Sequence, residues 1–192
     1  MNKRTPLLII DVQNAFDDSS WGKRNNGDAE KNIAGLLQLW RRSGWPVIHV
    51  AHVSDHPQSL FYRNRDSSKI KDLVLPLPDE IVIEKSVNSA FIGTDLESIL
   101  HELVCERLFI CGLTTNHCVE TTVRMAGNLG FNPVLVSDAA AAFDRTGPDG
   151  KRYKAEEIHQ MTLANLHGEF AETMTAEEVM DLEGRLKRWD LK

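Results

Sequence analysis

The amino-acid sequence predicts an α/β fold built on a mostly parallel β-sheet. Short apolar runs alternate along the chain with amphipathic segments, which is the pattern of repeated βα units. Several runs are apolar at consecutive positions, as in LFIC at residues 108–111, and this favours strands that are covered by helices on both faces. The length of 192 residues fits one domain over residues 1–192, because such a chain can bury roughly 70% of its unfolded surface.

Six segments are predicted to be strands because they are short, apolar and bounded by turn residues. They are residues 6–11, 47–53, 80–84, 107–112, 133–137 and 169–173. Two regions between these elements, residues 17–27 and 54–79, fit no regular structure. Long loops of this kind carry binding function or are merely mobile.

Five helices are predicted between and after the strands. The first is marked by apolar residues on one helical face, namely Ala29, Ile33, Leu36, Leu37 and Trp40, and Gly44 is placed to end it. Two more are predicted where Thr and Glu have the spacing of a capping box, at residues 94–97 and 175–178. The last two are predicted at about residues 152–166 and 117–130.

Composition and charge exclude several classes of protein. The chain has 28 acidic against 22 basic residues, so it repels nucleic-acid phosphate, and the basic run at residues 185–188 is interpreted as a solvated helix face. No stretch reaches the ~18 apolar residues of a membrane span, and the first apolar run has no signal-peptide cleavage site. Three cysteines fit neither a disulfide framework nor a C-x-x-C site, so the expected location is the reducing cytoplasm.

Polar residues at the ends of three predicted strands indicate where the chemistry lies. In open α/β sheets, ligands bind beyond the carboxyl ends of the strands. Asp11 closes the first strand, Lys85 follows the third, and Cys118 follows the fourth after a polar turn. An acid, a base and a thiol are therefore expected at one edge of the sheet.

Cys118 is the candidate nucleophile, because the strand–turn–helix layout around it resembles a nucleophile elbow. A helix N-terminus and a nearby lysine both favour a thiolate, and free backbone N–H groups there can bind an oxyanion. Each residue alone has a commoner explanation. A free cysteine is usually a core residue, Asp11 can cap a turn, and Lys85 can be a solvated side chain. Their joint placement favours catalysis.

Three segments together resemble the isochorismatase-like cysteine hydrolase superfamily. They are LIIDVQNAF at residues 8–16, EKSVNSAF at 84–91 and CGLTTNHCV at 111–119, and the resemblance extends over about residues 6–182. It implies a three-layer α/β/α fold with a doubly wound, six-stranded, mainly parallel sheet. It also implies a catalytic triad of Asp11, Lys85 and Cys118.

The resemblance further implies a cis peptide bond between Leu113 and Thr114, with the N–H groups of Thr114 and Cys118 forming an oxyanion hole. The expected reaction is hydrolysis of a C–N bond in a small amide, ureide or carbamoyl compound through a thioester on Cys118. Two alternatives stay open. The first is an isochorismatase that cleaves a vinyl ether, although such enzymes, which resemble this chain, usually lack the thiol. The second is a catalytically idle member of the family with a structural role.

No cofactor is expected for this reaction, and no residue is assigned to a metal. Nicotinamidases, which resemble this chain, add a metal site with an Asp-x-His pair, but here Asp55 and His56 are adjacent. A different site made of His52, Asp55 and His56 remains open, since imidazole and carboxylate groups are metal ligands.

The expected partner is a small-molecule substrate, with no nucleic acid and no membrane. Five residues in or beside the three motifs are expected to bind it, namely Phe16, Trp21, Asn88, Phe91 and His117. The resemblance also implies self-association into a homo-oligomer, and Trp21 and Trp189 would suit contacts between subunits.

Overall fold

The computed structural model describes the backbone of residues 5–189 and the side chains of residues 5–182, so the side chains of Trp189 and of the basic run at 185–188 lie outside it. The strands are β1 (Leu7–Ile10), β2 (Val47–His52), β3 (Ile81–Lys85), β4 (Leu108–Leu113), β5 (Pro133–Ala141), β6 (Arg145–Thr146), β7 (Arg152–Tyr153) and β8 (Glu172–Met174). Six parallel strands form one sheet in the order β3-β2-β1-β4-β5-β8. The described chain also forms a two-stranded antiparallel pair, β6 with β7.

Helices cover both faces of the sheet, which confirms the predicted doubly wound α/β/α fold. They are α1 (Ala29–Ser43), α2 (Leu96–Glu102), α3 (Glu120–Asn128), α4 (Ala155–Leu166) and α5 (Ala176–Trp189). Successive residues of β1 point to opposite faces, so Leu7 packs with α1 and α5 while Leu8 packs with α2, α3 and α4. Burial on both faces explains why the strands are apolar at consecutive positions.

The helix ends differ in part from the prediction. Thr175 and Glu178 form the expected capping box, because the Thr175 N–H donates to the Glu178 carboxylate and the Glu178 N–H donates to Thr175 Oγ1. The predicted box at Thr94 is wrong, since α2 begins at Leu96 after Asp95 and the Thr94 hydroxyl oxygen accepts from the Leu96 N–H and not from that of Glu97. Helix α4 begins at residue 155 and not 152, because residues 152–153 pair with β6.

The register of the sheet places three strand ends side by side. Ile10 pairs with Gly112, and His52 pairs with Lys85. Asp11, Lys85 and the turn after β4 therefore meet at the same edge, as the sequence predicts. No helix in the described part of the chain is long and apolar enough to cross a membrane.

Gly112 lets β1 and β4 approach at this edge. Its φ is +129°, a conformation that L side chains rarely adopt. A Cβ atom built at this position would lie 2.0 Å from the carbonyl oxygen of Ile10. Only glycine fits here without separating the two central strands.

Candidate active site

Asp11, Lys85 and Cys118 come together at the carboxyl end of the sheet. Asp11 directly follows β1 with a φ of +52°, a strained value of the kind that gathers at functional sites. The Nζ atom of Lys85 lies 2.7 Å from Oδ2 of Asp11, and both side chains are buried. The Sγ atom of Cys118 lies within 4.8 Å of a carboxylate oxygen of Asp11. The other carboxylate oxygen, Oδ1, is buried with no hydrogen-bond partner among the described residues.

The electrostatic state of the site differs from the expected thiolate. Burial raises the pKa of Asp11, and the Lys85 ammonium works against that rise. Burial and the negative charge of Asp11 raise the pKa of Cys118 to about 12, which Lys85 offsets only in part. The thiol therefore keeps its proton at neutral pH in the absence of substrate, and a carboxylate with a raised pKa lies beside it as a base.

Replacing Asp11 with Asn is expected to make the thiol ionise at lower pH, because a charge that raises its pKa is removed while Lys85 stays. The pH midpoint for alkylation of Cys118 by iodoacetamide, followed by peptide mass spectrometry, should fall below that of the unmodified protein. Lys85→Met should move the midpoint upwards, since it removes the group that lowers the pKa. Equal midpoints in all three proteins would contradict this account.

His52 completes the buried cluster. Its Nδ1 atom lies 3.1 Å from Nζ of Lys85, and since an ammonium group only donates, Nδ1 is the acceptor and the ring proton is on Nε2. Burial and the nearby Lys85 charge lower the pKa of His52 to about 4, so the ring is neutral. The side chain of Gln13 holds the His52 backbone, accepting from its N–H at 2.8 Å and donating to its carbonyl at 2.9 Å. From the sequence, His52 was expected only as a metal ligand.

The three residues considered for a metal site do not meet. The Asp55 carboxylate is exposed and pairs with Arg63 at 2.8 Å, whereas the exposed His56 accepts a hydrogen bond from the backbone of Gln58. Among the described residues, Asp11, His52 and Cys118 form the one group with ligand atoms close enough to share an ion. Lys85 already donates to two of these three, so a cation there would meet its positive charge.

The turn that carries Cys118 is held by bonds to its own backbone and to α4. The Leu113–Thr114 peptide bond is cis, which confirms that expectation. The turn then forms one π-helical segment, Thr115–Val119, that leads into α3. Its Thr115 hydroxyl lies 2.9 Å from Nδ1 of the buried His159. The oxyanion role of the N–H groups of Thr114 and Cys118 stays a prediction.

A cavity of about 270 Å³ opens above Cys118. Its lining includes four of the five expected substrate contacts and is made by Asp11, Phe16, Trp21, His52, Phe61, Asn88, Thr114, His117 and Cys118. Phe91, the fifth expected contact, is not part of this lining. Its ring is buried in the core and stacks on Phe131 with centroids 6.0 Å apart.

Aromatic rings from separate loops form one wall of the cavity. The ring of Phe16 lies 4.9 Å from that of Trp21 and 5.3 Å from that of Phe61, and all three residues line the cavity. Phe143, whose ring lies 6.1 Å from that of Phe16, is outside the lining. Trp21 and Phe61 come from the two long irregular regions, so those loops shape the binding surface. No role was predicted for Phe61 or Phe143, because Phe61 lies in the irregular region 54–79 and Phe143 lies beyond the predicted strand 133–137.

The chain is similar to known proteins over most of its length. The isochorismatase domain model matches residues 5–178. YrdC of Bacillus subtilis, an uncharacterized isochorismatase family protein, is 48% identical over 181 residues, which are 94% of this chain and 97% of YrdC. Nicotinamidase 3 of Arabidopsis thaliana is 30% identical over 184 residues, covering 88% of this chain and 84% of its own.

A solved structure gives the same result for the fold. A Chromobacterium violaceum protein, assigned to the isochorismatase family as a hydrolase, superimposes with a TM-score of 0.93 at 44% identity. The superposition covers 96% of this chain and 95% of that protein. Taken with the matched domain, these similarities establish that the chain belongs to the isochorismatase family of hydrolases.

Proposed function

We propose that the protein is a cysteine-dependent hydrolase that cleaves the C–N bond of a small amide, ureide or carbamoyl compound. The observation that carries the proposal is the buried Asp11–Lys85 pair beside Cys118 at the floor of a small cavity. A carboxylate oxygen without a hydrogen-bond partner can accept the thiol proton as the sulfur attacks. The similarity to Nicotinamidase 3 supports an amide substrate.

The reaction proceeds through a thioester. Asp11 accepts the proton of Cys118 while the sulfur bonds to the carbonyl carbon, and the N–H groups of Thr114 and Cys118 stabilise the negative oxygen. The C–N bond then breaks as Asp11 returns the proton to the departing nitrogen. Water next attacks the thioester and gives a proton to Asp11, which passes it to the sulfur as the acid leaves. The Lys85 ammonium, 2.7 Å from Oδ2, favours the ionised form of Asp11 in the resting enzyme and in the thioester, when Asp11 carries no transferred proton.

The test is a screen of small amides, ureides and carbamoyl compounds with ammonia release as the readout, run beside Cys118→Ala. At least one compound is expected to release ammonia with the unmodified protein and not with Cys118→Ala. Rapid quenching and mass spectrometry should then find the acyl group of that compound on the peptide that contains Cys118. Cleavage of a vinyl ether that proceeds equally in Cys118→Ala would instead favour the ether reaction.

Removal of metal ions is expected to leave turnover unchanged, because the ammonium of Lys85 already supplies the positive charge between Asp11 and His52. Dialysis against EDTA should not alter kcat, and elemental analysis of the purified protein should find no stoichiometric divalent metal. A chelated protein that is inactive and recovers with added Zn²⁺ would contradict this prediction.

A further inference from the structure

A chain of three side chains leads from the surface into the cavity beside Cys118. Arg145, exposed in β6, has its Nη2 atom 3.1 Å from Nε2 of His117. The other ring nitrogen of His117, Nδ1, lies 3.1 Å from Oγ1 of Thr114. Thr114 is almost fully buried and lines the cavity together with His117 and Cys118. The mechanism above uses the backbone of Thr114 but gives no task to these three side chains.

The donor groups fix the direction of the hydrogen bonds along this chain. A guanidinium group only donates, so Nε2 of His117 must carry the lone pair. His117 is then neutral with its proton on Nδ1, a state that burial and the charge of Arg145 favour by lowering its pKa. The Nδ1–H group donates to Oγ1 of Thr114.

The hydroxyl proton of Thr114 is therefore directed away from His117. Because Oγ1 already accepts from Nδ1–H, its own hydrogen needs a different acceptor. Among the described residues, His117 is the only hydrogen-bond partner of this hydroxyl. Thr114 is one of the residues that line the cavity, so a bound substrate can supply that acceptor.

We propose that the Thr114 hydroxyl donates a hydrogen bond to the substrate carbonyl oxygen as negative charge develops on it. His117 and Arg145 are positioning residues that hold the hydroxyl in the donating direction. The inference rests on the proposed thioester mechanism and adds a side-chain donor to the two backbone N–H groups assigned to the oxyanion. A donor of this kind acts on the transition state more than on the bound substrate.

Thr114→Val keeps the shape of the side chain and removes its donor, so kcat should fall by roughly 10²-fold with little change in KM. Thr114→Ser retains a hydroxyl and should remain close to the unmodified enzyme. Both are assayed with the compound that releases ammonia in the screen. A purely structural hydroxyl would show no such division between kcat and KM.

The positioning role is tested at Arg145, which is exposed and can be changed without disturbing the core. Arg145→Met should lower kcat, Arg145→Lys should recover it, and Arg145→Met should cause no further loss in a Thr114→Val protein. Arg152→Met is the matched control, because Arg152 lies in the paired strand β7 but bonds to Asp144. Its kcat should be unchanged.

Two different results separate this inference from the proposed function. Unmodified turnover in Thr114→Val, alongside an inactive Cys118→Ala, would overturn the role of the hydroxyl and leave the thioester mechanism intact. Full turnover in Cys118→Ala would overturn the mechanism itself. If Thr114→Val does not fold, the Arg145 pair decides, and equal kcat in Arg145→Met and the unmodified enzyme overturns the inference.

Discussion

Cys118→Ala is expected to lower kcat by at least about 10⁴-fold, because it removes the atom that bonds to the substrate. The remaining donors and the cavity can still bind substrate, so KM should change much less than kcat. The measurement is steady-state ammonia release, with thermal unfolding of the variant recorded to show that the fold is retained.

Cys105→Ala is the matched control for this substitution. Cys105 lies just before β4, at the opposite end of that strand from Cys118, and burial raises the pKa of its thiol to about 11. Its replacement should leave kcat unchanged. Comparable loss in both variants, or turnover in Cys118→Ala close to that of the unmodified enzyme, would show that the sulfur of Cys118 does not attack the substrate.

Gly112→Ala is expected to lower the free energy of unfolding by at least about 4 kcal/mol, or to prevent folding. The added methyl group would lie 2.0 Å from the oxygen and 2.6 Å from the nitrogen of Ile10, both backbone atoms of the paired strand. It must also adopt a φ of +129°, which is unfavourable for alanine. Urea denaturation followed by circular dichroism gives the free energy directly.

Gly27→Ala is the control, since its added methyl group would meet no atom within 4 Å. Its unfolding free energy should stay within about 0.5 kcal/mol of the original value. If the two alanine variants were equally stable, the close approach of β1 and β4 at Gly112 could not be what excludes a side chain.

Much of the fold could be predicted from the sequence because burial on both faces makes the central strands continuously apolar. The prediction failed where contacts distant in sequence decide the local structure. Strand β5 extends to Ala141, beyond the predicted residue 137, because small buried alanines continue its pairing with Gly112 and Leu113. Alanine has little intrinsic preference for strands, so the sequence carried no signal for this extension.

Of the candidate site, only the placement of the three reacting residues could be predicted from the sequence. Asp11, Lys85 and Cys118 each follow a recognisable strand, so the topology alone brings them together. The raised pKa of Cys118 was not predictable, because it depends on burial and on the charge of Asp11, both of which are set by the tertiary structure. The places of Phe61 and Arg145 were not predictable either, because Phe61 lies in an irregular region and Arg145 in a two-residue strand too short to show a periodic pattern.

The aromatic wall has an evolutionary consequence. The reacting groups are anchored to hydrogen-bonded strands, whereas Trp21 and Phe61 are supplied by loops outside the sheet. Loop sequences tolerate insertion and exchange better than paired strands do. Proteins descended from one ancestral gene can thus acquire new substrates through mutations in the loops, while the residues that break the bond are inherited unchanged.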